Sequence, residues 1–213
     1  MRTIKEELEE GGFRVAIFGS ARIEEGDPRY KQIKSLAGML GERGIDVVTG
    51  GGPGMMKAAT EGHNEKNKNK KSHAIGLSIK LPKEQKINPN LDIVKTFDRF
   101  SNRLDNFMLL SNVIVVAPGG VGTLLEFFYA WQLVQVKQVC NIPIILLGRQ
   151  WPDLIKWLEN YPLKSKFFEK KDLNLLFLAK DSKDAIKMID KAYEEFKKGD
   201  KNYCLNYKKY KLY

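Results

Sequence analysis

The chain is short of the residues that mark several common protein classes. Its 213 residues include 2 cysteines, Cys140 and Cys204. That is too few for a disulfide framework or a cysteine zinc site, and it leads us to expect a reducing, cytoplasmic setting. There are 2 histidines, His63 and His73. No metal-ligand spacing occurs, so neither a metal nor a cofactor is expected. No apolar run approaches the roughly 20 residues needed to cross a bilayer, so no membrane partner is expected. The opening Met-Arg-Thr-Ile-Lys-Glu-Glu-Leu-Glu-Glu is charged and lacks the apolar centre of a signal peptide. Neither a Pro/Ser-rich linker nor an internal repeat divides the sequence, and we expect a single domain over 1–213. Gly-x-x-x-x-Gly-Lys-Ser/Thr is absent, which argues against a Walker-type nucleotidase. No Gly-x-Gly-x-x-Gly follows the first apolar run, which argues against a standard NAD site.

Positive charge is not scarce: the formal net charge is +10. Much of it lies in Lys66–Lys71 and in a basic C-terminal tail from about residue 199, and both read first as solvated surface. The tail alternates tyrosine and lysine, a composition that could suit single-stranded nucleic acid. Such tails more often dock on their own domain or a partner subunit, and a nucleic-acid partner is not expected.

Apolar runs alternate with helical spacing along the whole chain. Strands are predicted at Phe13–Gly19, Ile45–Thr49, Ala74–Ile79, Asp92–Thr96, Val113–Val116, Ile142–Leu147 and Leu173–Ala179. Helices are predicted over 30–43, 55–66, 102–110 (capped by Ser101), 124–136, 153–160 and 182–198. The pattern implies an α/β, Rossmann-like fold, a mostly parallel sheet of about seven strands with helices on both faces. Glycine turns after the first, second and fifth strands would then converge at the C-terminal edge of the sheet, where ligands bind in open α/β sheets.

The fifth strand and its turn organise the rest. Val113–Val116 suits a strand buried on both faces, and Pro118, Gly119, Gly120 and Gly122 interrupt it. A long apolar segment from Leu124 to Val136 follows. The backbone from Gly119 through Gly120, Val121 and Gly122 to Thr123, with the Thr123 hydroxyl, offers an anion cradle at a helix start. Glu126 is the only charge between Asp105 and Lys137. A lone carboxylate in the first turns of an apolar helix is costly unless it has a partner or a task. The alternative for Glu126 is a helix-dipole or capping role. Arg103 shares a side of its helix with Phe100 and Phe107, which makes it half-buried and in need of an anion; a structural ion pair with Asp98 or Asp105 is the alternative there.

The nine residues Pro118-Gly-Gly-Val-Gly-Thr-Leu-Leu-Glu126 match the Pro-Gly-Gly-x-Gly-Thr-x-x-Glu signature of the lonely guy family. Gly50-Gly51-Gly52-Pro-Gly-Met55-Met56 resembles the family's second glycine motif. Gly19-Ser20-Ala21-Arg22 and Leu81-Pro-Lys-Glu84-Gln85 resemble further segments, so that the likeness runs from about Val15 to Leu147. Members of that family are phosphoribohydrolases that cut nucleoside 5′-monophosphates, including cytokinin nucleotides, and many carry the name lysine decarboxylase. The resemblance implies a catalytic pair, Glu126 and Arg103. It implies substrate contacts at Gly19, Ser20, Gly51, Gly52, Met55 and Glu84 beside Gly119–Thr123. It also implies a homodimer through helix 124–136, whose sequence is apolar nearly all round. The family has an Arg-Lys pair where this chain has Arg103-Leu104, a departure at the second of those positions. A non-catalytic Rossmann-like carrier of a nucleotide or pterin-type cofactor is the alternative function.

Overall fold

Arg14–Phe18 forms β1, and all of its residues are buried. A strand covered on both faces needs helices on both sides, and the alternating sequence supplies them. The computed structural model describes Glu6, residues 11–82 and residues 87–199. After β1 come α1 (Pro28–Glu42), β2 (Asp46–Thr49), α2 (Met55–Lys66), β3 (Ala74–Ile79) and β4 (Ile93–Phe97). They are followed by α3 (Phe100–Leu110), β5 (Val113–Val116), α4 (Val121–Gln135), β6 (Ile144–Leu147) and α5 (Gln150–Leu158). A π-helical turn, Glu159–Leu163, extends α5, and α6 (Lys170–Leu173), β7 (Leu176–Ala179) and α7 (Ser182–Lys197) complete the order.

The sheet has 7 strands in the order β4-β3-β2-β1-β5-β6-β7, and every neighbouring pair is parallel. This is the Rossmann-like architecture expected from the alternation. The chain builds outward from β1 to β4, then crosses back to place β5 on the other side of β1. The crevice of such a sheet opens at that reversal, outside the C-terminal ends of the strands. Successive β1 residues face opposite layers: Val15 and Ile17 pack with α1, α2 and α7, and Ala16 and Phe18 with α3, α4 and α5.

Several boundaries differ from the sequence reading. Asp27 caps α1 by accepting from Arg29 N–H, so this helix starts at Pro28 rather than Tyr30. The N-cap of α3 is Arg99, so Ser101 lies inside the helix and does not cap it. Phe100, placed in the apolar stripe of α3 from its spacing, is 48% exposed because it stands at the free first turn. α4 begins at Val121, which brings Gly120 to the cap and Gly122 into the first turn. The seventh strand begins at Leu176, because Lys170–Leu173 forms α6 with a capping box between Glu169 and Asp172. Among the described residues, no helix is long and apolar enough to cross a membrane.

Candidate active site

Three strand ends are stitched together at the reversal of the sheet. Ala117 N–H donates to Phe18 O at 2.8 Å, Ser20 N–H to Pro118 O at 3.1 Å, and Met55 N–H to Ser20 O at 2.9 Å. The turns after β1, β2 and β5 therefore form one edge. Gly19, Ser20, Gly51, Gly52 and Gly119–Thr123 all fall on it. The Met55 side chain does not face the crevice: it is wholly buried among the residues of α1 and α2. What Met55 brings to the edge is its backbone. Glu84 lies outside the described residues.

Glu126 is in the second turn of α4 and meets Arg103 of α3. Arg103 Nη2 and Glu126 Oε1 are 3.0 Å apart, with side chains 10% and 12% exposed. Arg103 Nε donates to Leu77 O in β3 at 2.7 Å, and its guanidinium lies 5.1 Å from the centre of the Phe107 ring. Asp98 and Asp105, the other acids considered for Arg103, are engaged elsewhere. Lys80 Nζ is 2.7 Å from Asp98, and Tyr129 Oη donates to Asp105. A Cβ at Gly50 would collide with the Arg103 guanidinium and with Met56 Sδ, so any larger residue where the β2 turn passes would have to displace them.

The electrostatics follow from that burial. Loss of water pushes the Glu126 carboxyl up to about 7, against the opposing pull of the Arg103 charge and hydrogen bond. Burial likewise pushes the Arg103 guanidinium down from its usual value, and Glu126 opposes that shift. Near neutral pH the acid is poised between its two protonation states, as a group that handles protons at such a pH needs to be.

The mouth of α4 stands open beside this pair. Gly120 caps the helix with no side-chain hydrogen bond, and the first helical bond is Leu124 N–H to Gly120 O. The amides of Val121, Gly122 and Thr123 precede that bond, as the first amides of any helix do. Open space surrounds Gly120 and Gly122. Thr123 is buried, and its side chain folds back beneath Gly119, where a Cβ would clash with it. Gly119 N–H donates to Gln150 Oε1 at 3.2 Å, and Gln150 Nε2 donates to Gly119 O at 3.4 Å. Gln150 at the start of α5 thus fixes the peptide that leads into the cradle. Nothing in its local sequence separates it from any other surface glutamine.

The β2 turn differs from the α4 mouth. Gly51 N–H donates to Thr49 Oγ1 at 3.1 Å, and Gly52 N–H points to Met56 Sδ at 3.4 Å. These two amides are engaged within the turn. A cavity of about 1340 Å³ also opens on this sheet edge, toward β6 and β7. It shares Pro118 and Gln150 with the β5 turn but is not lined by Glu126 or Arg103. The acid–guanidinium pair, rather than this hollow, therefore marks the candidate chemistry.

Comparison with known proteins gives four likenesses. The family model described as possible lysine decarboxylase matches residues 56–189. The pyrimidine/purine nucleotide 5′-monophosphate nucleosidase of Escherichia coli K12 is 27% identical over 155 residues, 69% of this chain and 34% of that protein. The chain thus spans about a third of the length of that curated relative. Among solved structures, the molybdenum cofactor carrier protein of Chlamydomonas reinhardtii superposes with a TM-score of 0.65 at 25% identity, over 86% of this chain and 99% of that one. The molybdenum cofactor binding protein of Rippkaea orientalis shares the fold, with a TM-score of 0.64 at 20% identity over 84% and 96% of the two chains.

Proposed function

The chain belongs to the family described as possible lysine decarboxylases, the lonely guy family, and from that membership we propose that it hydrolyses the N-glycosidic bond of nucleoside 5′-monophosphates. The products are the free base and ribose 5-phosphate, and AMP or an N6-modified, cytokinin-type nucleotide is the substrate class. The observation that carries this reading is the 3.0 Å pairing of Arg103 with a buried Glu126 beside an open helix mouth. Amino-acid decarboxylation, which the family's description names, needs an amine that can form a Schiff base. The groups that meet here are a carboxyl and a guanidinium.

In this reading the 5′-phosphate lies at the first-turn amides of α4, where unpaired N–H groups and the helix dipole favour an anion. Glu126 follows Val121 by five residues, about 7.5 Å along the helix axis. That separation sets the acid beside the ribose rather than the phosphate. Water attacks C1′ as the C1′–N bond breaks; the base leaves with the bonding electrons and takes up a proton. The Glu126 carboxylate stabilises the cationic ribose and accepts the proton of the attacking water. Arg103 holds its proton at physiological pH, so its part is to orient Glu126 and to keep it ionised.

The working form in this proposal is a homodimer through α4. Val121, Leu125, Phe128 and Val136 are 85%, 44%, 37% and 55% exposed, and at helical spacing they fall on one stripe. A second copy of the same stripe is a suitable cover.

A second reading is supported by the likeness to the Chlamydomonas carrier, which extends over 99% of that chain. There the same crevice would hold a pterin-type cofactor or a nucleotide without cutting it. Incubation with AMP and a panel of other monophosphates, followed by chromatography for free base, separates the two: release supports the hydrolase, and intact ligand retained by the protein supports the carrier.

A further inference from the structure

In the β2 turn the Gly51 and Gly52 amides are engaged within the turn itself. One polar residue is docked on it from a distant part of the chain. Asn88 N–H donates to Gly51 O at 2.8 Å, and Asn90 N–H donates to Asn88 Oδ1 at 3.0 Å, closing an Asx turn. Asn64 Nδ2 donates to Asn90 O at 2.7 Å, and Leu91 packs close to Gly51 and Gly76. The segment 88–91 is therefore fixed on the glycine turn, and the Asn88 amide is fixed with it.

With Oδ1 committed to Asn90, the remaining group is Nδ2. Asn88 is 5% exposed, and its Nδ2 is sealed from water with no acceptor among the described residues. A buried donor without an acceptor is costly. The Asx turn does not require it, because aspartate or serine closes a comparable turn with no NH₂ to bury. The position is also specific. Asn88 is bonded to Gly51, and the adjoining Gly50 lies against the Arg103 guanidinium.

We propose that Asn88 is a substrate-binding residue, whose Nδ2–H donates to a hydroxyl oxygen of the ribose; this rests on the nucleotide reading above. A neutral amide donor suits a neutral acceptor. The phosphate is assigned to the α4 mouth, and β1 separates β2 from β5. The two turns thus stand about two strand spacings apart, roughly 10 Å. Asn88 is thereby held on the turn whose Gly50 lies against the Arg103 guanidinium.

The test compares wild type, Asn88→Asp and Asn88→Ser on AMP, 2′-deoxy-AMP and 3′-deoxy-AMP, with a thermal melt of each protein. Aspartate keeps the outline of the side chain and the acceptor for Asn90 but has no NH₂; serine repeats the comparison without an added charge and serves if the aspartate variant fails to fold. The expected result is a KM for AMP raised about tenfold, with kcat within about threefold of wild type. The wild-type preference for AMP over the deoxynucleotide that lacks the contacted hydroxyl should disappear in both variants. An unchanged KM, or an equal loss on all three nucleotides, overturns the assignment while leaving the hydrolase reading intact. Wild-type protein that releases no base from any of the three overturns both.

Discussion

Arg103 bridges two elements: its Nη2 lies 3.0 Å from Glu126 Oε1 on α4, and its Nε donates to Leu77 O in β3 at 2.7 Å. The sheet thus positions the acid through a planar cation that α3 carries across. Because both ends of the guanidinium are occupied, its plane is fixed, and so is the carboxyl oxygen it faces. A lysine at this position could supply the charge but not the two-ended geometry.

The first consequence concerns pH. Burial pushes Glu126 up to about 7, and the proposed chemistry uses the carboxylate. kcat/KM for base release should therefore rise with pH and level off above about 7. Arg103→Met removes the group that opposes the burial shift, so the carboxyl should bind its proton more tightly and the rise should move to higher pH. A pH–rate profile of the two proteins checks this; a flat profile through neutrality in the wild type contradicts it.

Stability should report the same group with a definite sign. The folded-state value of Glu126 lies above its usual 4.5, so the folded protein holds this proton more firmly than the unfolded chain. Its contribution is fully present below about pH 4.5 and is lost as the pH rises through about 7. Glu126→Gln cannot ionise, so its melting temperature should gain on the wild type between pH 5 and pH 8. The gain corresponds to an order of about 1–3 kcal/mol at the upper end. Parallel melting curves against pH would contradict the assigned burial.

The Arg103 guanidinium passes close to Gly50, where a Cβ would meet it. Gly50→Ala should push Arg103 off Glu126. We expect base release to fall by about 100-fold, with a stability loss on the order of 1–3 kcal/mol. Activity assays beside thermal melts check it; near-normal turnover would show that the alanine methyl is accommodated without moving the pair.

The exposed stripe of α4 gives a fourth expectation. Wild-type protein at micromolar concentration should scatter light as a dimer, and Leu125→Asp should shift it toward the monomer while leaving the fold intact. A monomeric wild type would contradict the proposed assembly.

Much of this was legible in the sequence. Seven strand-like runs separated by helical spacing led to a parallel sheet, and the sheet has 7 parallel strands. The isolation of Glu126 in an apolar helix pointed to a partnered acid, and it is paired. What the sequence did not disclose depends on contacts between distant residues. Gln150 reaches Gly119 across 31 positions, and Asn88 reaches Gly51 through a backbone bond. Such bonds leave no periodic trace. Met55 is legible only in part: its motif and backbone sit on the site edge, and α2 turns its side chain into the core, against the close approach of Gly19. Cap choices failed locally, because a serine near a helix start is a candidate cap whether or not the helix begins one residue earlier.

The most direct test of the whole account is to incubate wild type and Glu126→Gln with AMP and follow adenine and ribose 5-phosphate together. The account predicts equal amounts of both products from the wild type and a loss of about 100-fold or more in the variant, which should remain folded. Base release that survives in Glu126→Gln, or AMP left intact by the wild type, would contradict it.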